Sequence, residues 1–119
     1  MEIYTQQEAN YLHIQISGKF NPTDWGVLEE LVQNTDDPQI WIIMAIDDQG
    51  SIKDMDLWYA VTELNAFCLE RNGSLVITGI NKEIMDLCEK LGLTILPTLD
   101  EAIDYIFIEQ LEQDLGEEN

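Results

Sequence analysis

The side chains best able to do chemistry in this sequence are carboxylates. Asp47, Asp48, Asp54 and Asp56 fall close together and offer the hard oxygen donors that a magnesium ion takes. Loop and helix-cap duties can account for two of the four, so no metal site is assigned. The single histidine, His13, lies within a strand pattern and reads as an ordinary strand residue. Cys68 and Cys88 are not paired in a CxxC motif. Each falls on an apolar helical position, as buried free thiols do. Gly18, Gly26, Gly50, Gly73, Gly79, Gly92 and Gly116 form neither GxGxxG nor GxxxxGK[ST], and there is no GxSxG. With no nucleophile, base or metal cluster in convergent spacing, the expectation is a non-catalytic protein without a cofactor.

The charge balance narrows the partners. Against 24 acidic residues stand five cations, Lys19, Lys53, Arg71, Lys82 and Lys90, for a net charge of -19. Nucleic acids and anionic membranes are held by cationic patches, and neighbours in this sequence build none. The charge reads first as a solvated acidic surface, with steering toward a basic partner surface as the functional alternative. The chain has 119 residues, 45% of them hydrophobic, enough for one packed domain. No apolar run reaches the ~18 residues of a membrane span, and the first residues carry no basic region or signal-peptide core. A cytoplasmic location is expected.

The elements that must position any site follow from periodicity. Glu2 to Gln6 suits a first strand. Tyr11 to Ser17 alternates, with Leu12, Ile14 and Ile16 on one side, so the two strands form an antiparallel hairpin. Asn21-Pro22-Thr23-Asp24 starts a helix, with Asn21 as N-cap and Pro22 in the first turn. Trp25, Leu28, Leu31 and Val32 form its inner stripe. The unbroken run Ile40 to Ile46 suits a central strand buried on both faces. A second helix spans about Met55 to Arg71, with Leu57, Val61, Leu64 and Cys68 inward, and stops at Asn72-Gly73.

Leu75 to Ile77 is another buried strand. A short helix from Asn81 to Leu91 turns Ile84, Leu87, Cys88 and Leu91 inward and ends at Gly92. Ile95-Leu96 is a brief edge strand. Thr98 and Glu101 match a capping box ahead of a last helix with Leu99, Ala102, Ile103 and Ile106 inward. A second stripe, Tyr105, Ile108, Leu111 and Leu115, is expected to pack on the parent domain. The alternative is a symmetric dimer, which the intervening acidic residues disfavour. The fold class is therefore α/β. It has a mainly parallel sheet of four to five strands, an N-terminal antiparallel hairpin and about four helices. Residues 1–115 are expected to form one domain, with 116–119 as a frayed tail.

Asp47 to Tyr59 joins the central strand to the second helix. Ligands and partners of open α/β sheets gather at the carboxyl ends of strands. Asp54 and Asp56 lie at a helix start, where unpaired N–H groups and the helix dipole favour negative charge. Trp58 falls on a flank of the helix with Thr62 and Leu69. It suits an interface anchor or a core position equally, and Tyr59 follows it.

Several stretches together resemble the STAS domains of anti-sigma-factor antagonists and sulfate transporters. Asn72-Gly73-Ser74-Leu75-Val76-Ile77-Thr78-Gly79-Ile80 resembles the family's glycine-started strand and turn. Cys88-Glu89-Lys90-Leu91-Gly92-Leu93 resembles its helix end. Pro97-Thr98-Leu99-Asp100-Glu101-Ala102 resembles its closing junction, and Ile16-Ser17-Gly18-Lys19-Phe20 its early strand end. The resemblance covers nearly the whole chain and rests on order and spacing together.

In the sigma-regulating members, a serine in a loop reading roughly Ile-Asp-Ser-Ser-Gly-Leu is phosphorylated by a partner kinase. The matching stretch here is Ile52-Lys53-Asp54-Met55-Asp56-Leu57. Asp54-Met55 replaces the Ser/Thr pair, so the phosphorylation switch does not carry over, and Ser51 does not match the acceptor position. The resemblance implies a protein-binding regulator whose partner is an anti-sigma-factor-like kinase or other signalling protein. Lys53, Asp54, Met55, Asp56, Trp58 and Tyr59 form the implied partner-binding surface, and Asp54 imitates phosphoserine in part. An accessory subunit that binds the ATPase of an ABC-type lipid transporter is the alternative, followed by a small-molecule or nucleotide sensor. The oligomeric expectation is a monomer or weak dimer.

Overall fold

Alternation along the second strand puts Ile14 and Ile16 on one side, and both are buried. This strand, β2 (Leu12–Ser17), pairs antiparallel with β1 (Glu2–Gln7), with Ile3 opposite Ile16 and Gln6 opposite His13. The structure is a computed structural model that describes residues 1–47, 54–80 and 82–117. Beyond the hairpin come α1 (Pro22–Gln33), β3 (Trp41–Ile46), α2 (Met55–Glu70), β4 (Ser74–Thr78), α3 (Lys82–Lys90), β5 (Thr94–Ile95) and α4 (Leu99–Glu117). The sheet runs in the order β1-β2-β3-β4-β5, and every pair after the hairpin is parallel. The α/β class, the mixed sheet and the four helices are as the periodicity predicts.

Sequential order has a geometric consequence. Right-handed crossovers that all step the same way place α1, α2 and α3 on one face of the sheet. The main core has that composition. Trp25, Leu28 and Val32 of α1, Leu57, Val61, Leu64 and Cys68 of α2, and Cys88 of α3 meet Ile14, Ile42, Met44, Leu75 and Ile77 of the sheet. Among the described helices, α4 covers the other face. There Trp41, Ile43 and Val76 pack against Ala102 and Ile106. The strand β3 is thus buried on both faces, which explains its unbroken apolar run.

Capping follows the sequence closely. The Asn21 side chain accepts from the N–H groups of Thr23 and Asp24 at 2.9 and 3.1 Å. Thr98 Oγ1 accepts from Glu101 N at 3.2 Å. Helices α2 and α3 both close with paired bonds from the residues past the helix. Gly73 N donates to Cys68 O and Leu93 N to Cys88 O, each at 2.9 Å. At the end of α3, Gly92 takes the left-handed position. At the end of α2 the roles are divided. Asn72 takes the left-handed position, with φ 59, and Gly73 serves close packing instead. A Cβ on Gly73 would lie 1.7 Å from the Ile40 carbonyl oxygen.

Three inner stripes need correction. Leu31, expected in the core, is 52% exposed, and Leu99 is 39% exposed. The second stripe of α4 does not pack on the parent domain. Tyr105 turns inward, but Ile108, Leu111 and Leu115 are exposed. The rotation of α4 is set by other residues. Ala102 and Ile106 fill the strip over β3 and β4. Gln110 Nε2 donates to Asn10 O at 2.8 Å, and Gln113 Nε2 to Asn72 O at 2.7 Å. Gln113 also accepts from Gln39 Nε2, whose own carbonyl oxygen accepts from the Trp41 indole. These glutamines turn Ile108, Leu111 and Leu115 away from the sheet.

Candidate functional site

The start of α2 is built by a cap. Asp54 has extended backbone, and its carboxylate accepts from Asp56 N at 2.9 Å. The cap holds the first turn at the carboxyl end of the parallel strands, because α2 follows the connection from β3. The next residues divide by helical spacing. Leu57 and Trp58 are fully buried, whereas Met55 is 39% and Tyr59 56% exposed. Asp56 is exposed as well. Met55, Asp56 and Tyr59 share one arc of the helix, opposite the buried stripe of Leu57, Val61, Leu64 and Cys68. The arrangement offers an apolar thioether and a phenol ring beside fixed negative charge. Such a surface can bind a protein.

The six residues expected at this surface therefore separate. Asp54, Met55, Asp56 and Tyr59 are brought together. Trp58 is not an anchor: it is 0% exposed and belongs to the main core. Helix α2 connects the central strands and lies in the middle of the three-helix layer, so the flank is covered at its first turn, where Trp58 lies, whereas Leu69 on the same flank near the far end is 57% exposed. A flank position in sequence becomes a core position at that first turn. Thr62, on the same flank, donates its hydroxyl to Trp58 O at 2.8 Å. Lys53 lies outside the described residues, as do Asp48 and Ser51. Asp47 is exposed at the end of β3.

Cys68 and Cys88 are free and buried. Burial pushes the Cys68 thiol up to about 12 and the Cys88 thiol up to about 11, which makes both poor nucleophiles. Burial also raises the Tyr105 phenol above its ordinary value, with the neighbouring Glu109 adding to the rise and Thr94 and Ser74 opposing it. Among the described residues, no group of three or more His, Cys, Asp or Glu side chains is placed to hold a metal ion. No described helix is long and apolar enough to cross a membrane.

Sequence reasoning missed two features. One is a cleft of about 640 Å³ at the opposite end of the sheet, lined by Tyr11, Leu31, Trp41, Gln110 and Asp114 among others. Its size suits a small ligand. Its glutamine amides are engaged within the protein, since Gln7 donates to Tyr11 O, Gln39 to Gln113 and Gln110 to Asn10 O. Loops from distant segments form it, so no local signal announces it. The second is Phe107, 54% exposed beside Ile108, Leu111 and Leu115 on the outer face of α4. The spacing of Phe107, Leu111 and Leu115 at i, i+4 and i+8 was a signal available in the sequence.

No protein-family model matches this chain, and no curated protein matches it either.

Proposed function

We propose that this chain is a non-catalytic, protein-binding regulatory module of the STAS type, and that it meets its partner through the start of α2. The observation that carries the proposal is the exposure of Met55, Asp56 and Tyr59 on one arc of α2, at the carboxyl end of the central strand. The order of elements and the motif stretches from Gly73 to Ala102 support the family assignment. The partner is a basic surface on an anti-sigma-factor-like kinase or another signalling protein.

Asp54 stands where a phosphorylatable serine stands in the sigma-regulating relatives. Its carboxylate accepts a backbone N–H of the helix start, the type of donor a phosphate group also takes. It carries one charge against about two for phosphate, so the imitation is partial and permanent. The domain is thereby insensitive to the kinase activity of its partner. The test is affinity capture with the native chain, Asp54→Ser and Tyr59→Ala, each with and without ATP. Native capture indifferent to ATP, ATP-dependent capture by Asp54→Ser, and weakened capture by Tyr59→Ala are expected. If all three retain the same partners equally, with and without ATP, the proposed surface and the mimicry are both wrong.

A further inference from the structure

Helix α4 is apolar on two opposite sides. Its inner side, with Ala102 and Ile106, packs on the sheet. On its outer side Phe107 is 54%, Ile108 54%, Leu111 46% and Leu115 64% exposed. At about 3.6 residues per turn these four share an arc of about 100°. Phe107, Leu111 and Leu115 form one i±4 ridge, the relief that packs into the grooves of another helix. Asp104, Glu112 and Asp114 border this ridge, and all are exposed. From Asp100 to Asn119 there are eight acidic residues and no basic one.

We infer that the outer face of α4 is a second docking surface, and that its occupant is a cationic amphipathic helix of another protein. The apolar stripe of that helix lies on Phe107, Ile108, Leu111 and Leu115. Its flanking Lys or Arg side chains face Asp104, Glu112 and Asp114. Charge decides between occupants. A second copy would set the acidic border against itself, in a chain of net charge -19. An anionic lipid surface would be repelled for the same reason. Opposite charge bordering an apolar ridge favours a basic helix on both counts. The surface lies on the opposite face of the sheet from α2, so it is separate from the one proposed above.

The test uses the full chain and a synthetic amphipathic Leu/Lys peptide, read by fluorescence anisotropy. The controls are a peptide of the same composition shuffled to lack an apolar helical face, and a Leu/Glu peptide of the same pattern. The native chain should bind the Leu/Lys peptide at least about tenfold more tightly than either control, and added salt should weaken it. The triple variant Ile108→Gln, Leu111→Gln, Leu115→Gln should lose at least about tenfold in affinity with an unchanged melting temperature. The charge-reversed Asp104→Lys, Glu112→Lys variant gives a second reading and should bind more weakly too. Tyr59→Ala should bind the peptide like the native chain, which separates this surface from that of α2. Equal binding of the shuffled peptide, of the Leu/Glu peptide or of both variants would overturn the inference. So would sedimentation as a dimer that the triple variant abolishes.

Discussion

Replacing Asp54 by alanine removes two stabilising effects at once. Its carboxylate accepts from Asp56 N at 2.9 Å, and its charge lies at the positive end of the α2 dipole. Loss of an N-cap acceptor costs about 1 kcal/mol, and loss of the charge a further ~0.3–1 kcal/mol. Asp54→Asn separates them, because the amide oxygen still accepts the bond while the charge is gone. A chain of 119 residues unfolds with an entropy of about 0.25 kcal/mol/K, so 1 kcal/mol moves Tm by about 4 °C. The alanine variant should melt about 5–8 °C below the native chain, and the asparagine variant about 1–4 °C below. Thermal unfolding followed by circular dichroism measures both. Partner capture with the same proteins then assigns the functional role. If charge is read by the partner, both variants fail. If only the first helical turn matters, the asparagine variant binds and the alanine variant does not. An alanine variant that melts with the native chain would refute the capping role, and with it the helix-start geometry on which the partner surface rests.

Gly73→Ala should destabilise by about 3 kcal/mol or more, because the new methyl meets the Ile40 backbone carbonyl rather than a movable side chain; a lower urea midpoint is the readout. Trp58→Ala should cost about 3–5 kcal/mol, while its exposed neighbour Tyr59→Ala should stay within about 0.5 kcal/mol of the native chain. Chemical denaturation of the two side by side distinguishes core from surface. The thiol of Cys68 rises from an ordinary 9.0 to about 12 and that of Cys88 from 9.0 to about 11. The native state therefore holds protons that the unfolded chain releases. Their contribution to stability is complete below pH 9 and is lost as pH rises through the window from 9 to 12. Cys68→Ala should flatten that decline when urea midpoints are compared across the window, and an unaltered slope would contradict it.

Much of the candidate site is legible in local chemistry. An aspartate ahead of a helical period predicts the Asp54 cap, as an asparagine-proline pair predicts the cap at Asn21. The i, i+3, i+4 spacing separates exposed Tyr59 from buried Leu57. Trp58 was not legible. Its burial comes from the middle position of α2 in a three-helix layer, which depends on strand order and not on any spacing within the helix. Asn72 and Gly73 show the same divide within one turn. Both are recognisable as a stop signal, but only the approach of Ile40 assigns the glycine to close packing and the asparagine to the left-handed position.

Local sequence set the elements of this protein and their caps, because these depend on neighbours within a few residues, and composition set its net charge. The outer stripe of α4 came instead from packing between distant segments. A helix with apolar residues on opposite sides has no preferred inner face of its own. Ala102 and Ile106 against the sheet, with Gln110 and Gln113 bonded to the loops at its base, chose one side. That choice left Phe107, Ile108, Leu111 and Leu115 facing outward.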